Sequence, residues 1–184
     1  GLEILRKRRD GYHDIRSIFV GVDLCDTLDV EDADESACTC IPPMTVQASD
    51  NLVVKAMEAY RSAFPNDRRT AKITVTKRIP AGGGLGGGSS DAGHTLVALA
   101  RLNGRDPLGP DAAALHHAAA SIGSDVPFFL NPTVALVEGR GEIITPLPIT
   151  LPWVILLVCP GIHINTALAY STLGISGGKP GSDM

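Results

Sequence analysis

Six glycines in seven positions, Gly82–Gly84 and Gly86–Gly88 around Leu85, form the densest chemical signal in the chain. Glycine loses more conformational freedom on folding than any other residue, so such a run is costly. Two demands can justify it: torsions open only to glycine, or close approach of a ligand to bare N–H groups. Ser89, Ser90 and Asp91 follow, and they suit a helix N-terminus. A glycine loop feeding a helix start gathers unpaired donors and the positive end of the helix dipole at one point. That is an anion site suited to phosphate. The whole segment Pro80-Ala81-Gly82-Gly83-Gly84-Leu85-Gly86-Gly87-Gly88-Ser89-Ser90 is therefore the predicted phosphate-binding segment. The competing reading is a flexible linker, but linkers seldom sit tightly between a strand and a capped helix.

Two common phosphate motifs fail here. Gly82-x-Gly84-x-x-Gly87 satisfies the dinucleotide spacing only because nearly every residue is glycine, and no acidic strand end follows at the usual offset. The P-loop needs Gly-Lys-Ser/Thr, and no lysine lies between Lys77 and Lys179. Outside the loop, Asp125 follows Gly123-Ser124 and precedes Val126-Pro127, at a turn between a helix and an extended segment. It reads either as a turn residue or as a positioned carboxylate. Cys25, Cys38, Cys40 and Cys159 make no C-x-x-C pair and stand near no His cluster, so no metal site is expected and reduced thiols are.

The elements that must position these residues follow from periodicity. Ile15–Ile41 alternates apolar and polar residues, as antiparallel strands do. Leu52, Val53, Ala56, Met57, Tyr60 and Phe64 repeat with a helical period, and Ser49 or Asp50 can cap that helix. Ala71–Lys77 alternates again and leads into the glycine loop. Helices are predicted over Ser89–Leu102 and Asp111–Ile122, closed by Asn103-Gly104 and by Gly123. Strands are predicted at Val134–Glu138 and Glu142–Thr145, a buried strand at Trp153–Cys159, and a helix over Thr166–Thr172. Strands mixed with helices, without regular βαβ alternation, give an α+β class.

Composition narrows the function classes. With 184 residues the chain suits one domain, or one and part of a second. A net charge of −4 argues against nucleic acid as a partner. No run of about 18 apolar residues is present, so no membrane span is expected, and the cysteine usage suits the cytoplasm. The only methionines are Met44, Met57 and Met184, and Gly177–Met184 is turn-like and completes no element, so the chain reads as truncated at both ends. Oligomeric state is left open.

Pro80-x-Gly-Gly-Gly-Leu85-Gly-Gly-Gly-Ser-Ser90-x-Ala92 resembles the ATP-binding motif of the GHMP kinases, a family of small-molecule kinases. The tripled glycines on both sides of Leu85 resemble most the branch acting on a cytidine-diphosphate derivative of methylerythritol. Four further segments resemble the family in order: Asp10-Gly11-Tyr12-His13, Asn51-Leu52, Gly123-x-Asp125-Val126-Pro127, and Gly139-x-Gly141-Glu142. Pro160–Thr166, with Ala169-Tyr170, resembles a fifth.

The resemblance implies a ribosomal-protein-S5-like N-terminal domain over residues 1–148 and the start of a ferredoxin-like C-terminal domain over 149–184. It implies ATP, with Mg²⁺, as the phosphoryl donor. The implied reaction is phosphorylation of the 2-hydroxyl of 4-diphosphocytidyl-2-C-methyl-D-erythritol in the non-mevalonate isoprenoid pathway. The alternatives are a homoserine- or mevalonate-type kinase, or an ATP-binding fragment without catalysis. Asp125 becomes the implied proton acceptor for the substrate hydroxyl. Tyr12, His13, Thr166 and Tyr170 become the implied substrate contacts, the two tyrosines by stacking on cytosine. Ser89 and Ser90 offer hydroxyls to phosphate or Mg²⁺ as well as to capping. Asn51 has two readings, an adenine-side contact and a helix cap. The family's first-strand lysine is expected to fall before Gly1, and Lys7 lies past the motif position.

Overall fold

The computed structural model describes residues 1–43, 48–161 and 169. Two sheets and three helices make it an α+β structure. Strands β1 (Leu2–Lys7), β2 (His13–Phe19), β6 (Ala135–Gly139) and β7 (Ile143–Pro146) form an antiparallel sheet in the order β1-β2-β6-β7. Strands β3 (Thr27–Ala33), β4 (Ala37–Ile41) and β5 (Thr70–Thr76) form the other, in the order β3-β5-β4.

Alternation dictates which face of the second sheet is buried. Ala71, Ile73 and Val75 of β5 point one way into the core formed with α1 (Leu52–Ala63) and α2 (Gly87–Leu102), and α3 (Ala112–Ile122) packs on those two helices. Leu96, Leu115 and Ile73 are almost wholly enclosed in this main core. A smaller cluster, Phe128, Ala135 and Val137 with Phe19 and Phe129, joins the first sheet to a short 3-10 helix, Val126–Leu130. That helix also packs on α2. A Cβ added at Gly93 would stand 2.7 Å from Cβ of Phe129 and 3.1 Å from the carbonyl oxygen of Val126.

Several sequence expectations need correction. β4 pairs with β5 in parallel, not antiparallel, because α1 does not lie between β3 and β4 but carries the chain from β4 to β5. β1 keeps no strict apolar alternation, since Leu5 follows Ile4 directly; its largely exposed residues form a strand because β2 offers a hydrogen-bonding edge. Asn51 caps α1, accepting from the N–H of Val53 at 2.9 Å, whereas Ser49 and Asp50 belong to a preceding 3-10 turn. Val126 opens a helix instead of an extended segment, since Pro127 fits a first helical turn where its missing N–H has no partner anyway.

Trp153–Cys159 forms no strand, and Val154 and Leu156 are 99% and 85% exposed. An apolar run becomes a buried strand only when a neighbour pairs its backbone, and no strand among the described residues does so. Of the helix expected at 166–172, all but Ala169 lies outside the described residues.

Candidate active site

The glycine loop starts from a fixed base. β5 ends at Thr76, and the backbone N–H groups of Arg78 and Ile79 donate to one oxygen of Asp26 at 2.5 and 2.8 Å. Ile79 is buried beneath the loop. A turn follows, with the N–H of Gly83 donating to the carbonyl of Pro80. The two reasons for glycine then separate by position. Gly86 is the N-cap of α2 at φ +70°, and a Cβ there would press to 3.1 Å on the ring of Phe129. Gly84 has the same torsion, but a Cβ there would meet nothing within 4 Å. Glycine at 86 serves the fold, and at 84 it leaves the backbone open to a ligand.

α2 begins at Gly87, two residues earlier than expected, so Ser89 and Ser90 lie inside its first turn. No side chain caps this helix, and first-turn N–H groups have no intrahelical acceptor. Those donors face a cavity of about 330 Å³. Pro80 through Ser89 and Asn51 all line it, so the structure brings the predicted phosphate segment and the α1 cap to one space. Ser90 is not part of the lining; its hydroxyl lies 3.5 Å from Nδ1 of His94, and its N–H donates to Gly86. The amide nitrogen of Asn51 points to the sulfurs of Cys38 and Cys40 at 3.6 and 3.8 Å. Capping and cavity lining therefore coexist at Asn51.

Sequence reasoning missed an ion cluster beneath the cavity. Nζ of Lys77 donates to Asp26 at 2.5 Å and to Asp91 at 2.7 Å. All three side chains are nearly enclosed, and Asp26 and Asp91 are 1% and 6% accessible. Burial opposes ionisation of Asp26, but bonds from Lys77 and from the Arg78 and Ile79 N–H groups hold its carboxyl below the usual range. Burial pushes the Asp91 carboxyl up, because Lys77 reaches one oxygen only and Oδ1 has no partner among the described residues. Burial works against charge on Lys77, yet the two carboxylates raise its pKa. The cluster ties the end of β5, the loop before β3 and the first turns of α2 together. The signal available in the sequence was a lysine just before the loop and an aspartate just after it, four residues apart from Gly87 on α2.

Asp125 follows the C-terminus of α3 and precedes the 3-10 helix. Its side chain caps nothing and is solvent-accessible. Crowding around it raises the carboxyl above the ordinary range, with burial as the sole cause. Accessibility to water keeps that effect modest. A Cβ at Gly141 would lie 3.3 Å from Oδ1 of Asp125, so the β6–β7 turn abuts the carboxylate. The preceding residue of that turn, Arg140, places its guanidinium 4.9 Å from the centre of the Tyr12 ring. Tyr12 is half exposed, and its N–H donates to Asp10. His13 opens β2, half-buried and opposite Lys7. Thus Asp125 and Tyr12 flank one turn, with His13 next to Tyr12 in the chain, and the 3-10 helix that follows Asp125 packs on α2. Thr166 and Tyr170 lie outside the described residues.

An open cavity of about 330 Å³ at a helix start offers backbone donors to an anion, and the accessible carboxylate on the segment packed against that helix can accept a proton. Residues 51–131 match the model of the GHMP kinases N terminal domain. The chain is 40% identical over 174 residues to 4-diphosphocytidyl-2-C-methyl-D-erythritol kinase of Thermodesulfovibrio yellowstonii, covering 95% of this chain and 59% of that protein. It is 43% identical over 175 residues to the protein of the same name from Solibacter usitatus, covering 94% and 53%. A crystal structure of 4-(cytidine 5'-diphospho)-2C-methyl-D-erythritol kinase superposes with a TM-score of 0.70 at 35% identity, over 93% of this chain and 59% of the other. The chain thus spans somewhat more than half the length of these relatives. By its fold and these matches, the chain is similar over most of its length to these kinases, and residues 51–131 are the part that matches the GHMP kinases N terminal domain.

Proposed function

We propose that the protein transfers the γ-phosphoryl group of ATP to the 2-hydroxyl of 4-diphosphocytidyl-2-C-methyl-D-erythritol, a step of non-mevalonate isoprenoid precursor synthesis in the cytoplasm. The observation that carries this reading is the convergence of two half-sites on α2. The open glycine loop lies at its start, and the segment bearing Asp125 is packed on its flank beside Tyr12. The names of the relatives supply the acceptor. Residues 149–184 open a second domain in this reading.

The phosphates of ATP lie on Pro80–Ser89, held by the first-turn N–H groups of α2 and its dipole. Asn51 and the apolar wall behind it, including Leu52 and Val75, receive the adenine side. The hydroxyl of Ser89 and the phosphates themselves would hold Mg²⁺, which would neutralise charge on the transferring group. The residues fit that ion, which commonly needs few protein ligands beside phosphate and water. Tyr12 presents a ring face to cytosine, and His13 stands next to it.

The acceptor oxygen forms its bond to phosphorus as the β–γ bridging bond breaks and ADP departs. Asp125 takes the hydroxyl proton. A carboxyl without a hydrogen-bonding partner among the described residues is free to accept that proton, and its raised pKa makes it a better base. Because the ionised form is required, turnover falls as pH drops through that raised pKa.

The test is incubation with labelled ATP and the cytidyl acceptor, beside homoserine and mevalonate. Label in the cytidyl compound is expected; label only in mevalonate or homoserine would refute the acceptor. Asp125→Asn should cut turnover by about 10²-fold or more while ATP affinity holds within about twofold. Retained turnover removes Asp125 from the proton-accepting role.

A further inference from the structure

Three arginines among the described residues are half-buried, and two of them are conventionally paired. Arg8 binds Asp10 and Asp14, and Arg105 binds Asp67 and Asp111. Arg140 is the third, and it has no carboxylate partner among the described residues. The two acids flanking it in the chain are already engaged. Glu138 binds Arg16 at 3.1 Å, and Glu142 accepts from the backbone N–H of Arg140 at 2.7 Å. The guanidinium donates through Nη2 to the carbonyl of Ala120 at 2.9 Å and lies on the Tyr12 ring. Its remaining N–H donors have no acceptor there. A partly buried cation without a counter-charge is unfavourable unless an anion arrives to meet it.

The position of this cation is informative. Arg140 stands in the turn between Gly139 and Gly141, and Gly141 abuts Asp125. So one tight turn touches the proposed base-stacking ring on one side and the proposed proton acceptor on the other. An acceptor whose cytosine rests on Tyr12 and whose hydroxyl meets Asp125 must run its diphosphate between the two. We propose that Arg140 binds this diphosphate, using the free edge of a planar fork suited to phosphate oxygens. The same guanidinium covers one face of Tyr12, which leaves the opposite face for the base. Arg140 thereby selects acceptors that carry a diphosphate over those that carry a base alone. The inference rests on the cytidyl reading above.

Calorimetric binding of cytidine, CMP and CDP to the wild-type protein and to Arg140→Gln and Arg140→Lys separates the possibilities. The wild type should bind CDP well above cytidine. Arg140→Gln should weaken CDP on the order of tenfold to a hundredfold, the usual loss for a charge-assisted hydrogen bond. It should leave cytidine within a few-fold. Arg140→Lys, which keeps the charge without the fork, should fall between, and it carries the test if the glutamine variant does not fold. No CDP binding by the folded wild type overturns the cytidyl reading itself. CDP binding that is unchanged in both variants overturns the role of Arg140 alone. Equal loss of cytidine and CDP also overturns it, because Arg140 would then merely support Tyr12.

Discussion

Replacing Lys77 with methionine isolates the ion cluster beneath the glycine loop. Methionine keeps most of the aliphatic volume and removes only the ammonium. In the wild type that ammonium serves two carboxylates at 2.5 and 2.7 Å, both nearly enclosed. Without it, Asp26 keeps the N–H groups of Arg78 and Ile79, but Asp91 keeps nothing that offsets its burial. Breaking a buried pair by deleting one partner costs ~3–5 kcal/mol. Lys77 retains some solvent access at 12%, which favours the lower end, about 3 kcal/mol. For a domain of this size that is a fall in Tm of roughly 6–12 °C.

The loss should also depend on pH. Asp91 already has a raised pKa, and without Lys77 it rises further. An acid whose folded pKa exceeds its unfolded value adds stability below the unfolded pKa, and loses it as pH rises through the folded one. The deficit of Lys77→Met should therefore shrink as pH is lowered from about 8 towards about 5. Adding Asp91→Asn to Lys77→Met should recover most of the loss, because it removes the uncompensated charge. Thermal unfolding followed by circular dichroism across that pH range is the assay. A loss below about 1 kcal/mol that ignores pH, with no recovery in the double variant, would refute the electrostatic account.

Two further substitutions test the glycine assignments and the cap. Gly86→Ala should destabilise by about 1–3 kcal/mol in urea unfolding, from left-handed torsion and contact with Phe129, whereas Gly84→Ala should show the torsional part alone, about 1 kcal/mol. Equal losses would show that Phe129 yields freely. Asn51→Ala should cost about 0.5–2 kcal/mol through the lost cap. Asn51→Asp should keep the cap yet weaken ATP binding if the amide reads the nucleotide; unchanged ATP affinity by titration calorimetry would leave Asn51 as a cap only.

The sequence by itself determined the glycine loop and the elements around it. Gly82–Gly88 followed by serines names a chemistry, because backbone donors without side chains are needed only where something approaches them closely or the torsion demands it. β5, α1, α2 and α3 were legible because each buries one face, which imposes a period on the chain. The ordered short segments around Tyr12, Asp125 and Gly139–Gly141 also carried the resemblance to the GHMP kinases.

The tertiary structure decided what those segments do to one another. β1 escaped notice because both its faces are exposed and only its edge pairs. The parallel pairing of β4 depends on how α1 carries the chain, a long-range fact with no local sign. Trp153–Cys159 shows the converse: local hydrophobicity makes a strand only where a partner supplies the ladder. Lys77, Asp26 and Asp91 are ordinary charges until folding encloses them, since Asp26 lies 51 residues from Lys77. Arg140 likewise acquires meaning only when the β6–β7 hairpin lays it on Tyr12 and sets Gly141 against Asp125. Charge becomes specific through burial and proximity, and both arise only from chain-distant packing.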